Sequence, residues 1–300
     1  MPSKIEIIEV GPRDGLQNEN QILAHQKRSN LVRKLASTGL KRIEVGAFVS
    51  PYRVPQMENS KKVAANALKF ASKKKLDLKL SALVPNKRGL DDFLKTDLKE
   101  AAVFAACTES FSKKNINCSI KESFERFKDV ATECKKNKIK LRGYLSTVFG
   151  CPFEGKVSPK QVVKCAESLL ELGVYEISLG DTIGVASPKQ VKEVLSALLK
   201  AGIPAKKIAG HFHDTRGTAL TNVVTSMDFG VSKFDSSVGG LGGCPYAPGA
   251  AGNLATEDLV YCMHQMGVKT GVDLKSLISV ARWLQKEVGH PISSHLAMVP

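Results

Sequence analysis

The segment His211-Phe212-His213-Asp214 pairs two histidines at a spacing that suits metal chemistry. It follows Ile208-Ala209-Gly210, a short apolar run that reads as a strand. Side chains two apart on a strand point to one face. His211 and His213 should therefore present their imidazoles together, with Phe212 opposite. Such a pair at a strand end holds a divalent metal well. Two structural histidines bonded to backbone are the alternative. Asp214 is placed to fix a tautomer.

Other reactive residue types also fall just after apolar runs. Gly11-Pro12-Arg13-Asp14-Gly15-Leu16-Gln17 sets a charged pair in a turn. Asp14 offers a carboxylate to the metal and Arg13 a guanidinium to a developing oxyanion. The bland reading is an Asp-Gly turn with a surface arginine. Glu44 sits inside an apolar strand and needs a partner, because an unpaired buried charge is costly. Arg13 is the candidate. Asp181, in Gly180-Asp181-Thr182, either accepts hydrogen bonds from a metal-bound water or holds a turn. Cys244 lies in the stretch 239–253, which has six glycines and two prolines in fifteen residues. That composition suits a lid loop after strand eight. A thiol there gains thiolate character near a metal or an arginine. Asn253 either caps the last barrel helix or brings an amide oxygen to the metal. Asp14, His211, His213 and Asn253 together supply two nitrogens and two oxygens, which favours a hard ion, Mg2+ or Mn2+, over structural zinc.

These residues need elements to carry them. Strand-like runs alternate with amphipathic helical stretches along the whole chain. Strands are expected near 5–10, 42–45, 79–84, 101–106, 141–147, 176–179, 208–212 and 233–236. Helices are expected near 25–38, 59–74, 89–96, 121–137, 162–172, 191–200, 217–229 and 255–266, with a further one near 274–288. Eight strand–helix units in series argue for an α/β protein with a (β/α)8 barrel. The barrel should span about 5–266 and a C-terminal helical extension about 267–300, in one catalytic domain. Ser158-Pro159-Lys160-Gln161-Val162 recurs as Ser187-Pro188-Lys189-Gln190-Val191, each a natural helix start. In such a barrel, chemistry sits at the C-terminal ends of the strands, where Asp14, Asp181, His211 and Cys244 fall.

The chain has 300 residues, 43% hydrophobic and 24% charged, an ordinary globular composition. No apolar run reaches membrane-span length. A first strand from Ile5 leaves no room for a leader peptide, so a cytoplasmic enzyme is expected. The seven cysteines have no metal-finger spacing. The net charge of +15 raises the question of nucleic acid. Its lysines lie in short runs on helix faces, however, and no nucleic-acid motif accompanies them. A basic surface also attracts an anionic small substrate such as an acyl-CoA. Lys113 and Lys114 are candidates to touch its phosphates.

Four motifs resemble the hydroxymethylglutaryl-CoA lyases. They are Ile8-Glu9-Val10-Gly11-Pro12-Arg13-Asp14-Gly15-Leu16-Gln17-Asn18-Glu19, Phe48-Val49-Ser50-Pro51, Lys114-Asn115-Ile116-Asn117-Cys118-Ser119 and 176–184. A fifth stretch, 240–258, holds Gly-Gly-Cys-Pro-Tyr-Ala and is the most specific. The resemblance spans essentially the whole chain. It implies a (β/α)8 barrel and metal-dependent cleavage of 3-hydroxy-3-methylglutaryl-CoA to acetyl-CoA and acetoacetate. It implies Asp14, His211, His213 and Asn253 as metal ligands, and Arg13 and Gln17 at the substrate. Cys244, Arg13, His211, Glu44 and Asp181 would be catalytic. His211 or a residue acting through water would be the base, and Cys244 or water the proton donor. A homodimer is also expected. Ala47, Tyr52-Arg53 and Arg216 depart from the family pattern near the expected acyl-CoA mouth. They keep open a lyase for longer 3-hydroxyglutaryl thioesters. A condensing acyltransferase of the same superfamily and a nucleic-acid or scaffold protein are the other rivals.

Overall fold

A computed structural model describes residues 1–243 and 252–299. Eight strands form a closed, all-parallel barrel in chain order. They are β1 (Glu6–Glu9), β2 (Arg42–Ala47), β3 (Lys79–Leu83), β4 (Glu100–Ala106), β5 (Lys140–Ser146), β6 (Glu176–Gly180), β7 (Ile208–His211) and β8 (Lys233–Ser236). β1 closes the ring against β8, with Glu6 opposite Lys233 and Glu9 opposite Ser236. The helices are α1 (His25–Ser37), α2 (Ser60–Lys74), α3 (Lys87–Phe93), α4 (Glu109–Ile116), α5 (Ile120–Lys136), α6 (Pro159–Glu171), α7 (Pro188–Lys200), α8 (Ala219–Asp228), α9 (Thr256–Gln265), α10 (Leu274–Val288) and α11 (His295–Met298). The (β/α)8 barrel expected from the repeating units is what the chain forms.

The repeated pentapeptide marks the starts of α6 and α7. The Ser158 and Ser187 hydroxyls accept N–H bonds from Gln161 and Gln190, 3.2 and 3.4 Å, and a proline opens each helix. The helices thus begin three residues before the expected 162 and 191, because the cap captures the first turn. Helix α4 departs from the sequence reading, which left a loop between strand four and 121. Its sequence is short and polar and buries only Phe111 and Ser112, too little periodicity to register.

Polar side chains occupy part of the barrel lumen. Arg42 on β2 meets Glu176 on β6, Nη2 to Oε1 3.0 Å. Arg142 on β5 meets Asp235 on β8, Nη2 to Oδ1 2.7 Å. These strands are not neighbours in the ring, so the contacts cross the interior. Arg142 Nε also donates to Glu176 Oε1 at 2.8 Å, and Lys233 Nζ reaches Glu176 Oε2 at 2.8 Å. Aliphatic residues between strands and helices supply the hydrophobic core, Val45, Val103, Ile177 and Leu195 among them. Beyond the barrel, α10 packs on α1, where Lys34 Nζ lies 5.2 Å from the Trp283 ring centre.

Candidate active site

The C-terminal ends of β1, β2, β5, β7 and β8 converge on one group of charged side chains. After β1 the chain makes one turn of π-helix, Gly11–Gly15. There the N–H groups of Arg13, Asp14 and Gly15 all donate to the Val10 carbonyl, 2.7 to 3.2 Å. Such turns recur at functional sites. Arg13 and Asp14 are ion-paired with each other. Arg13 Nε donates to Glu44 Oε2 at 2.5 Å, the partner expected for that carboxylate. Tyr144 completes the cradle. Its ring centre lies 5.0 Å from the guanidinium carbon, and its hydroxyl donates to Glu44 Oε2 at 3.0 Å. Burial raises the Glu44 pKa, opposed by Arg13. Glu44 Oε1 is buried without a partner among the described residues.

Asp14 is the hinge of the group. Its Oδ1 accepts Gln17 Nε2 at 3.0 Å, and its Oδ2 accepts Asn253 Nδ2 at 2.9 Å. His211 Nε2 lies 3.7 Å from Oδ2. The His211 and His213 ring centres are 5.4 Å apart, on one side as their spacing implies. Phe212 is buried on the other side, 5.8 Å from Phe149. Asp14, His211 and His213 each bring a ligand atom within 4.8 Å of the others, and among the described residues no other His, Cys, Asp and Glu group does so.

Asn253 reaches the site by backbone pairing. Residues 252–254 run antiparallel to 212–214, with Asp214 N to Gly252 O at 2.8 Å and Leu254 N to Phe212 O at 3.0 Å. Asn253 is not the cap of α9, which begins after Ala255. Its amide nitrogen bridges Asp14 and the Leu241 carbonyl. Gly242 permits this approach. Its φ is +99°, and a Cβ there would stand 2.6 Å from Asn253 Nδ2.

The donor set fits a divalent cation. Burial pushes the Asp14 pKa up, but Arg13 and both histidines pull it down to about 2, so it is an anion. Burial and the neighbouring His211 lower the His213 pKa to about 4, so it is neutral and able to ligate. The His213 Nδ1 atom is buried with no partner among the described residues, as a ligand side chain without its ion would be.

Two expectations are redirected. Asp214 does not fix a histidine tautomer, because its Oδ1 accepts the Ala219 N–H at the start of α8, 2.9 Å. Asp235 contacts the His211 ring instead, Oδ2 to Nδ1 3.1 Å. Asp181 stands outside the Asp-His-His group. Its two oxygens accept the Val185 and Ala186 N–H groups at 2.9 and 3.1 Å, the turn-holding alternative. Burial lifts its pKa to about 6. The sequence does not single out Asp235 or Tyr144. The signal for Asp235, a carboxylate inside a buried strand, was the one that singled out Glu44.

A cavity of about 1100 Å³ opens from this group. Arg13, His211 and His213 line its buried end, and Arg53, Lys61, Arg88 and Arg126 are exposed along its wall. Ala47 and Gln17 also line it. Lys113 and Lys114 do not; Lys114 lies over the Phe153 ring at 4.8 Å. Arg216 is likewise away from the cavity and donates to the Ile183 and Gly184 carbonyls. Tyr52 is 96% exposed and does not line the cavity. Gly243 forms part of the wall, and Cys244 lies outside the described residues.

A family model described as HMGL-like matches residues 4–284. The chain belongs to the HMGL-like family. Among relatives in the family, hydroxymethylglutaryl-CoA lyase of Bacillus subtilis is 48% identical over 98% of this chain and 96% of its own. A crystal structure of the Bacillus subtilis HMG-CoA lyase superposes with a TM-score of 0.92, at 47% identity, covering 99% of this chain and 98% of that one. The 3-hydroxy-3-isohexenylglutaryl-CoA/hydroxymethylglutaryl-CoA lyase of Pseudomonas aeruginosa is 44% identical over 99% of this chain and 97% of its own. An HMG-CoA lyase structure from Acinetobacter baumannii, in complex with coenzyme A and 3-methylmalate, has a TM-score of 0.90 and 36% identity, covering 98% and 94%.

Proposed function

We infer that this HMGL-like protein is a carbon–carbon lyase that cleaves 3-hydroxy-3-methylglutaryl-CoA to acetyl-CoA and acetoacetate. The observation that carries the reading is the Asp14–His211–His213 group beside Arg13 at the buried end of a cavity lined with exposed cations, in a chain so close to known lyases. Asp14, His211, His213 and the Asn253 amide would hold the metal, and Asn253 is braced on Asp14 Oδ2. Mg2+ or Mn2+ is the proposed ion, because the oxygen and imidazole donors include no thiolate. When bound, the ion supplies Lewis acidity that makes the tertiary 3-hydroxyl acidic near neutral pH.

The chain's own residues do the rest. A base acting through water takes the hydroxyl proton, the C3–O bond becomes the ketone of acetoacetate, and the electron pair of the breaking C2–C3 bond passes into a thioester enolate. Arg13, fixed by Glu44 and Tyr144, faces the charge that develops in this step. Glu44 acts on the reaction through Arg13, and Asp181 through the 181–186 turn. Gln17, bonded to Asp14 on the cavity wall, is proposed to touch substrate. Cys244 is assigned the protonation of C2, which completes acetyl-CoA. The exposed arginines and Lys61 suit the phosphates of the CoA carrier.

The whole of 1–300 is proposed as one catalytic domain, barrel about 5–266 with the extension 267–300, working as a cytoplasmic homodimer. No helix among the described residues is long and apolar enough to cross a membrane. A second reading, wider acyl acceptance, is favoured by Ala47. Its small side chain lines the cavity and leaves room that a larger residue would fill.

The test is acetyl-CoA release by chelator-treated protein, with and without added Mg2+ or Mn2+. Turnover should vanish on chelation and return with metal. No cleavage of 3-hydroxy-3-methylglutaryl-CoA with metal demonstrably bound would overturn the reading. Cleavage of longer 3-hydroxyglutaryl thioesters in the same assay would select the second.

A further inference from the structure

The two histidines of the site are held very differently. His213 Nδ1 has no partner among the described residues. His211 Nδ1 lies 3.1 Å from Asp235 Oδ2, deep on β8. Resting on the metal-site reading above, we propose that Asp235 is a positioning residue that keeps the His211 proton on Nδ1, so that Nε2 faces Asp14 with a lone pair.

The bonds around Asp235 leave one place for the hydrogen between it and His211. Arg142 donates to both of its oxygens, Nη2 to Oδ1 at 2.7 Å and Nη1 to Oδ2 at 3.2 Å. The Ser178 hydroxyl donates to Oδ2 at 2.6 Å. A carboxylate forked on a guanidinium is charged and can only accept. The hydrogen between Oδ2 and the His211 ring therefore belongs to the ring. With Nδ1 protonated, the neutral imidazole has its lone pair on Nε2, which stands 3.7 Å from Asp14 Oδ2. The opposite tautomer would point an N–H at the place where a cation must be ligated.

Asp235 is itself fixed from below. Arg142 also donates through Nε to Glu176 Oε1 at 2.8 Å, a support additional to the two bonds that seat its fork on Asp235. A chain of buried ionic bonds thus runs from the lumen to the ring. Its last link sets a tautomer; the deeper links only support it. That division gives a control. Glu176→Gln weakens the support and leaves Asp235 and His211 in place.

The experiment is nitrogen NMR of the full chain, labelled at histidine, without metal, together with titration of Mn2+. In the unaltered protein the His211 Nδ1 should carry the proton. Asp235→Asn should lose the single tautomer and bind Mn2+ about 10–100-fold more weakly. Its kcat should fall more than its KM changes. Glu176→Gln should lower thermal stability with tautomer and Mn2+ affinity unchanged. A proton on Nε2 in the unaltered protein would overturn the proposal. So would an Asp235→Asn protein that melts earlier yet binds Mn2+ as before. If Asp235→Asn does not fold, the spectrum of the unaltered protein decides alone. Failure of that protein to cleave 3-hydroxy-3-methylglutaryl-CoA would remove the lyase reading and leave the tautomer and Mn2+ results standing.

Discussion

The barrel mouth and the barrel lumen are both built of buried charge, yet their bonding differs. In the lumen, Arg42, Arg142, Glu176 and Asp235 satisfy one another across the ring. At the mouth, Glu44 Oε1 and His213 Nδ1 lack partners among the described residues, and Asp14, His211 and His213 crowd one point. A closed network holds the fold in one arrangement. An open one keeps binding capacity for something the chain does not supply. Asp235 belongs to both, closing the lumen network on one side and orienting His211 on the other.

Substitutions in the two regions should separate turnover from stability. Arg13→Met removes the only guanidinium paired with Glu44 among the described residues. We expect kcat to fall by about 10³-fold with KM within a few-fold. A large KM change at normal kcat would place Arg13 in binding alone. Glu176→Gln lies wholly in the lumen and takes a carboxylate from Arg42, Arg142 and Lys233. It should cost about 3–5 kcal/mol of stability, read by denaturant unfolding, while kcat of the folded protein stays within about threefold. A collapse of kcat with stability intact would erase the contrast.

Two buried glutamates lie behind the mouth. Glu9 accepts the Gly11 and Val238 N–H groups at 2.7 and 3.0 Å, and Glu257 accepts that of Gly239 at 2.9 Å. Burial lifts Glu9 to about 7 and Glu257 to about 8. Folding therefore favours their protonated forms. That contribution is fully present below the ordinary value of 4.5 and is lost as pH rises through 7 and 8. The melting temperature should drop by about 5 °C between pH 6 and 9. Glu257→Gln should flatten the curve. An equally steep curve in that variant would assign the pH dependence to other groups.

Much of this was legible in the chain. Strand and helix positions follow from hydrophobic period, and glycine, proline and serine mark the turns and caps. The metal-site candidates were visible because histidines two apart on a strand must share a face. Glu44 was visible because a carboxylate in an apolar run needs a cation. The same logic applied to Asp235 and Arg142, but nothing in their local sequence names partners 93 residues apart. Helix α4 was hidden by its polar face, and Asp214 misled because adjacency to a histidine is not contact with its ring.

The sequence by itself therefore determined the elements, their order and which residue types stand at the strand ends. These depend on side-chain period and local capping, which are properties of neighbours in the chain. Only the closed barrel decided that Asp235 rather than Asp214 holds His211. It also decided that Tyr144 supports Arg13 and that Asp181 holds a turn. Closing the ring brings β5 against β8 and β2 through its interior. Which charge meets which there depends on register and distance across the lumen, and no local pattern encodes either.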